Sequence, residues 1–216
     1  MRVTLILALC SAPLGAQQPP RIMEFYRDSL KRGSDSAFRA IENDAAQVCA
    51  DLKCPNPYLA IESLSGMHEA WWLNAFASEA DTTRVVNAYA ANPPLLAALG
   101  RAIKGKEVLV GTPVNVFGVY RADRSHSPPW NVAGARFLVV TVTRTDRAIQ
   151  GTEWDAADGT RYILRAVPTE REAQALAIAA GAGTRVFAIR PNWSMPAPEW
   201  RAADPEFWKV APVAHR

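Results

Sequence analysis

Histidine is scarce, with only His68, His126 and His215 in a chain of 216 residues. They are far apart in sequence, and no two stand at the short spacing of a multi-histidine metal centre. Cysteine is equally scarce, at three residues. No Cys-x-x-Cys pair occurs, which removes the redox and zinc-ribbon patterns. No basic excess exists either: the formal charge is +3, with both signs scattered along the chain. That excludes the electrostatic footprint of a nucleic-acid partner. The apolar run from Val3 to Leu9 is far too short to span a bilayer, and no other stretch approaches the required length. A Gly-x-Ser-x-Gly nucleophile elbow is also missing.

What the chain does have is proline and tryptophan, sixteen and seven residues. They predict aromatic-rich packing and Pro-pinned loops. The length allows one large domain or two small ones. "MRVTLILALCSAPLGA" (1–16) has a basic start, an apolar run and a small residue before polar "QQPP". It reads as a secretory signal peptide, and so predicts a secreted or periplasmic protein after cleavage. Removing it leaves Cys49 and Cys54, an even count that in an oxidising compartment predicts a disulfide.

Periodicity and turn signals order the rest. "RIMEFYR" (21–27) reads as a strand. Phe38, Ile41, Ala45, Val48 and Leu52 then fall at helical spacing. "YLAIESL" and "MHEAWWLNAF" are strands flanking Ser65-Gly66, read as a two-residue hairpin turn. Ser78 starts a helix that "NPP" (92–94) breaks, and Pro94 can open the next helical stripe. "PVNVFGVYR" (113–121) is a fourth strand. Residues 21–121 thus form a βαββαβ unit, the ferredoxin-like order. A Pro-rich connector (122–134) follows. Residues 135–190 read as βββαβ, with a hairpin at Asp158-Gly159 and a capping box at Thr169–Glu172. They form a degenerate second half. The Trp- and Pro-rich tail (191–216) is expected to strap across the body. The fold class is α+β, with sheets that could close a barrel.

Two motifs fail on inspection. "GRAIKGKE" (100–107) has P-loop glycine and lysine spacing, but Glu107 sits where Ser or Thr must hold magnesium, and the segment ends a helix. "HEAWW" (68–72) begins like a zinc-protease motif, but Trp72 occupies the second histidine position. One constellation remains. A two-residue turn at Ser65-Gly66 places Glu62 opposite Glu69. Facing carboxylates share a proton or bind a cation, which suits acid–base catalysis. The same register puts Tyr58 and Trp71 on that sheet face. The opposite reading is two solvated glutamates, or a register slipped by one residue.

The βαββαβ order, "EAWWLNAFASEAD" and "YAANPPLLAAL" together resemble the dimeric α+β barrel superfamily, in particular NIPSNAP-like and antibiotic-biosynthesis-monooxygenase-like domains, over residues 21–121. The resemblance implies an open sheet whose free face is covered by a partner sheet, from this chain's second half or from a second copy in a homodimer. It also implies a ligand-sized lumen. The superfamily includes cofactor-independent oxygenases and haem-binding proteins, but no residue here matches a catalytic or cofactor signature. Three functions follow as expectations. The first is a secreted protein binding a small, partly apolar ligand between sheets through Tyr58, Trp71 and Phe117, without a cofactor or metal. The second is an enzyme, either a cofactor-independent oxygenase or one using Glu62 and Glu69. The third is a structural or interaction module whose tryptophans are only core.

Overall fold

The computed structural model describes residues 18–126 and 130–209. Segment 1–16, expected to be a signal peptide, therefore lies outside the described residues. The elements run β1 (Ile22–Ser29), α1 (Asp35–Leu52), β2 (Tyr58–Ser63), β3 (Glu69–Phe76), α2 (Glu79–Ala90), α3 (Pro93–Ala102) and β4 (Val114–Tyr120). The second half supplies β5 (Phe137–Thr143), β6 (Thr152–Ala156), β7 (Arg161–Val167), α4 (Glu170–Ala180), β8 (Thr184–Ile189) and α5 (Pro198–Ala203). Local chemistry sets the boundaries. The side chains of Ser78, Asn92 and Thr169 cap α2, α3 and α4 by accepting from the backbone amides of Asp81, Leu95 and Glu172. Cys49 and Cys54 form a disulfide across the end of α1.

All eight strands pair antiparallel into one closed barrel, in the order β1-β3-β2-β8-β5-β7-β6-β4. The first half contributes β4-β1-β3-β2. The second contributes β8-β5-β7-β6, the same order with its own strands. The second half is therefore a ferredoxin-like unit in which the segment after β5 carries no helix. Two short seams join the halves. At one, Ile61–Ser63 of β2 pairs with Phe187–Ile189 of β8; at the other, Gly118–Tyr120 of β4 pairs with Trp154–Ala156 of β6. Closure is achieved within one chain, and a second copy is not needed to cover the sheet.

Strand alternation decides which side chains point inward. Phe25, Trp71, Trp154, Tyr162 and Phe187 all belong to the largest core cluster and are buried. Phe25 stacks on Tyr162 at 4.2 Å between centroids and meets Trp71 and Trp154 edge-on at 6.4 Å. Rings from both halves therefore interlock across the lumen. Trp130, Trp200 and Trp208 join the same cluster from the connector and the tail. Outside the barrel, Trp72 packs with Phe38 of α1 and Trp193. The two adjacent tryptophans thus serve opposite faces.

Gly118 marks how tightly the β4–β6 seam is built. A Cβ there would lie 2.8 Å from Trp154 Cβ and 3.1 Å from Phe25 Cε2. We predict that Gly118→Val destabilises the protein by about 1–3 kcal/mol through overpacking, measured by urea unfolding. An unchanged midpoint would show that the seam is looser than described.

Candidate functional site

The register of β2 against β3 corrects the carboxylate pair. Glu62 pairs with Ala70 and Ile61 with Trp71, one residue away from the arrangement a two-residue turn predicts. The turn is longer: the Ser63 hydroxyl donates to the Met67 carbonyl and accepts from the Glu69 amide. A one-residue slip reverses faces. Glu69 consequently shares the lumen face of Trp71, whereas Glu62 points outward. They form no dyad, and each carboxylate has cations of its own.

Glu69 accepts from Trp71 Nε1 at 2.7 Å and from Arg185 at 2.8 Å. Arg27 and Arg185 lie over the Trp71 ring at 5.2 and 5.6 Å. This closes one end of the aromatic core. Glu62 is the centre of a second cluster at the β2–β8 seam. It accepts from Arg39 of α1 at 3.0 Å, from Arg190 after β8 at 2.6 Å and from His68 Nε2 at 2.9 Å. His68 Nδ1 in turn faces Asp35 at 3.1 Å. Asp35, Glu62 and His68 have ligand atoms within 4.8 Å of one another, but the two guanidiniums on Glu62 supply the charge that a cation would bring. Burial pushes the Glu62 carboxyl up, and the His68 hydrogen bond with the Arg190 and Arg39 charges outweighs it, so the group ionises below its ordinary 4.5.

The expected ligand trio is dispersed. Trp71 is fully buried in the lumen, Tyr58 lies on the outer face beside Trp72, and Phe117 projects outward from β4, 43% exposed. The lumen does not fit the haem that some members of the resembled superfamily bind. Interlocked rings fill it, and neither described histidine is inside: His68 is bound to Glu62 and Asp35, and His126 bridges Gly151 at the surface.

Tyr58 instead lines a cleft of about 460 Å³ between the outer face of the first sheet and the helices α1 to α3. Its walls include Tyr26, Tyr58, Trp72 and Tyr89, with Leu99 and Ile103 opposite. Its polar groups are Glu24, Glu42, Asn74 and Lys106. Lys106 Nζ sits 2.7 Å from Asp28 and 2.8 Å from Glu42, and 4.3 Å over the Trp72 ring. Burial disfavours the Lys106 charge, but the two carboxylates more than compensate and hold its pKa above 10.5. For Glu42, burial wins over Lys106 and pushes the carboxyl up. Burial likewise raises the Tyr58 phenol. Sequence reasoning missed both Glu42 and Lys106. Glu42 lies four residues from Phe38 on the face that also buries Ala46 and Cys49, so the spacing carried a signal that its charge concealed. Lys106 belongs to the rejected P-loop lookalike.

No family model and no curated protein matches the chain. Among solved structures it is similar to a candidate monooxygenase from Fusobacterium nucleatum (7% identity, TM-score 0.49, 83% of this chain and 94% of that one). A second candidate monooxygenase, from Lactobacillus acidophilus, is similar at 5% identity and TM-score 0.45, over 78% of this chain and 92% of that one. A mutant chlorite dismutase from Candidatus Nitrospira defluvii, in complex with cyanide, follows at 8% identity and TM-score 0.43, over 80% and 92%. These are likenesses of chain path, and they assign no chemistry to this protein.

The Glu62 cluster makes a pH prediction. A carboxyl depressed in the folded state contributes stability above its ordinary value and loses it as pH falls through the depressed one. Glu62→Gln should flatten the loss of stability below pH 4.5 and lower stability at neutral pH by about 1–3 kcal/mol. Thermal midpoints across the acid range read both effects. An unchanged acid limb would remove Glu62 from it.

Proposed function

We propose that the protein is exported and binds a small, partly apolar ligand, in the outer cleft of its first half and not between the sheets. The observation that carries this reading is the cleft itself. Its volume falls in the range of small-molecule sites, roughly 300–1,000 Å³, and it combines four aromatic side chains with a few convergent polar groups. The rings offer flat apolar contact. Glu24 offers an acceptor to a ligand hydroxyl or amine, Asn74, whose Oδ1 accepts from Asn56, offers its amide NH2 as a donor, and the Lys106–Glu42 pair supplies a charged end wall. Export is supported by the leader-like sequence of residues 1–16 and by the Cys49–Cys54 disulfide. Among the described residues no helix is long and apolar enough to cross a membrane.

An enzyme is the second reading, favoured by Glu42. Its carboxyl is raised by burial and lines the cleft, the direction that suits a carboxylic acid to general acid–base work. It takes the place that the Glu62/Glu69 pair cannot fill.

Native mass spectrometry of the mature protein from its own host tests the binding reading. The expected result is a small-molecule adduct on the wild type that Leu99→Trp, which pushes an indole into the cleft, weakens or removes. An adduct undiminished by Leu99→Trp would place the ligand elsewhere, and a wild type with no adduct would count against binding altogether. If Glu42→Gln retains the adduct but leaves it chemically unaltered where the wild type converts it, the enzyme reading prevails.

A further inference from the structure

The second half has a pocket of its own. It lies on the outer face of β5 and β7, beneath α4, where the segment 144–151 runs in place of the helix that the first half has. Its volume is about 180 Å³. Val139, Ile149, Ile163 and Leu176 line it with three alanines, Thr141 and Gln150 are its neutral polar groups, and no carboxylate lines it. Its two charged lining residues are both arginines. Arg147 is engaged, donating to the Ala180 carbonyl at the end of α4. Arg165 is different. Its Nε is buried with no hydrogen-bond partner, and no described residue forms an ion pair with it.

A buried donor without a partner has lost its water for nothing in return, and the loss is greater when it belongs to a charged group. A guanidinium is a fixed cation with a planar fork of donors suited to a carboxylate. A half-buried guanidinium whose Nε lacks a partner, beside a largely apolar enclosure, therefore suits an anion with an apolar body. Size narrows the class further: an apolar cavity of about 150 Å³ takes up benzene, so this one admits a single ring or a short chain.

We propose that this pocket binds a small apolar monocarboxylate, of benzoate or hexanoate size. Its carboxylate pairs with Arg165, and its ring or chain lies against Val139, Ile149, Ile163 and Leu176. The site is separate from the cleft of the first half, where Glu24 and Glu42 oppose an anion.

The test titrates the mature protein with benzoate, with hexanoate, and with benzyl alcohol as a neutral counterpart of benzoate. The readout is the amide ¹H–¹⁵N shifts of Ile149, Ile163 and Leu176. Both acids should give saturable shifts on the wild type. Benzyl alcohol, and benzoate on Arg165→Gln, should bind about tenfold or more weakly, a difference of at least about 1.4 kcal/mol. Leu176→Trp, which fills the pocket and leaves the charge alone, should abolish the shifts. The proposal is overturned if neither acid gives a saturable shift on the wild type, or if Arg165→Gln binds benzoate as tightly as the wild type. Should Arg165→Gln fail to fold, the wild-type comparison of benzoate with benzyl alcohol decides: equal affinity removes the role of Arg165.

Discussion

The structure depends on how its two sheets dispose of their edges. A four-stranded ferredoxin-like sheet has two edge strands with unpaired backbone groups and one apolar face without helices. Here β2 finds β8 and β4 finds β6, so both edges are paired inside the chain. The two bare faces then meet around one lumen. Once closed, that lumen is filled by Phe25 and Trp71 from the first half and Trp154, Tyr162 and Phe187 from the second. These buried rings assign the interior to packing.

Charge marks the seams. Glu62 gathers Arg39, Arg190 and His68 where β2 meets β8. At the other seam Asp155 takes Arg121 and Arg124, and the fully buried Glu153 takes Arg161 at 2.7 Å. Removing one partner of such a cluster leaves a poorly solvated charge, so these pairs resist rearrangement more than they add net stability. The outer faces differ between the halves. Three helices over the first sheet leave a wide cleft with rings and carboxylates. One helix over the second leaves a smaller apolar pocket with a bare guanidinium.

Element order was legible from the sequence because periodicity and turn chemistry are local. The helix starts at Ser78 and Thr169 and the hairpin at Asp158-Gly159 carry their own hydrogen-bond signals. The opposite roles of Trp71 and Trp72 follow from strand alternation. Register was not legible, because it rests on one loop. The Ser65 hydroxyl accepts from the Val186 amide of β8, and Ser63 bridges Met67 and Glu69. These are contacts that a two-residue turn does not anticipate. That single slip moved Glu62 and Glu69 to different faces and separated Tyr58 from Trp71. The face of α1 was misjudged for a related reason. Helical spacing favours Ile41 and Ala45, whereas Glu42 and Ala46 are the buried pair, since Lys106 comes from 64 residues away to pair with Glu42. A charge buried by a distant partner leaves no mark in local periodicity.

Hydrogen exchange at the two seams tests intrachain closure most directly. In dilute protein at its monomeric mass, the amides of Glu62 and Leu64 at one seam, and of Val119 and Arg121 at the other, should be protected as strongly as those in the β1–β3 ladder. The closed barrel opens only by global unfolding. Fast exchange at the seams with the ladders inside each half still protected would contradict it, showing two half-sheets that separate in solution.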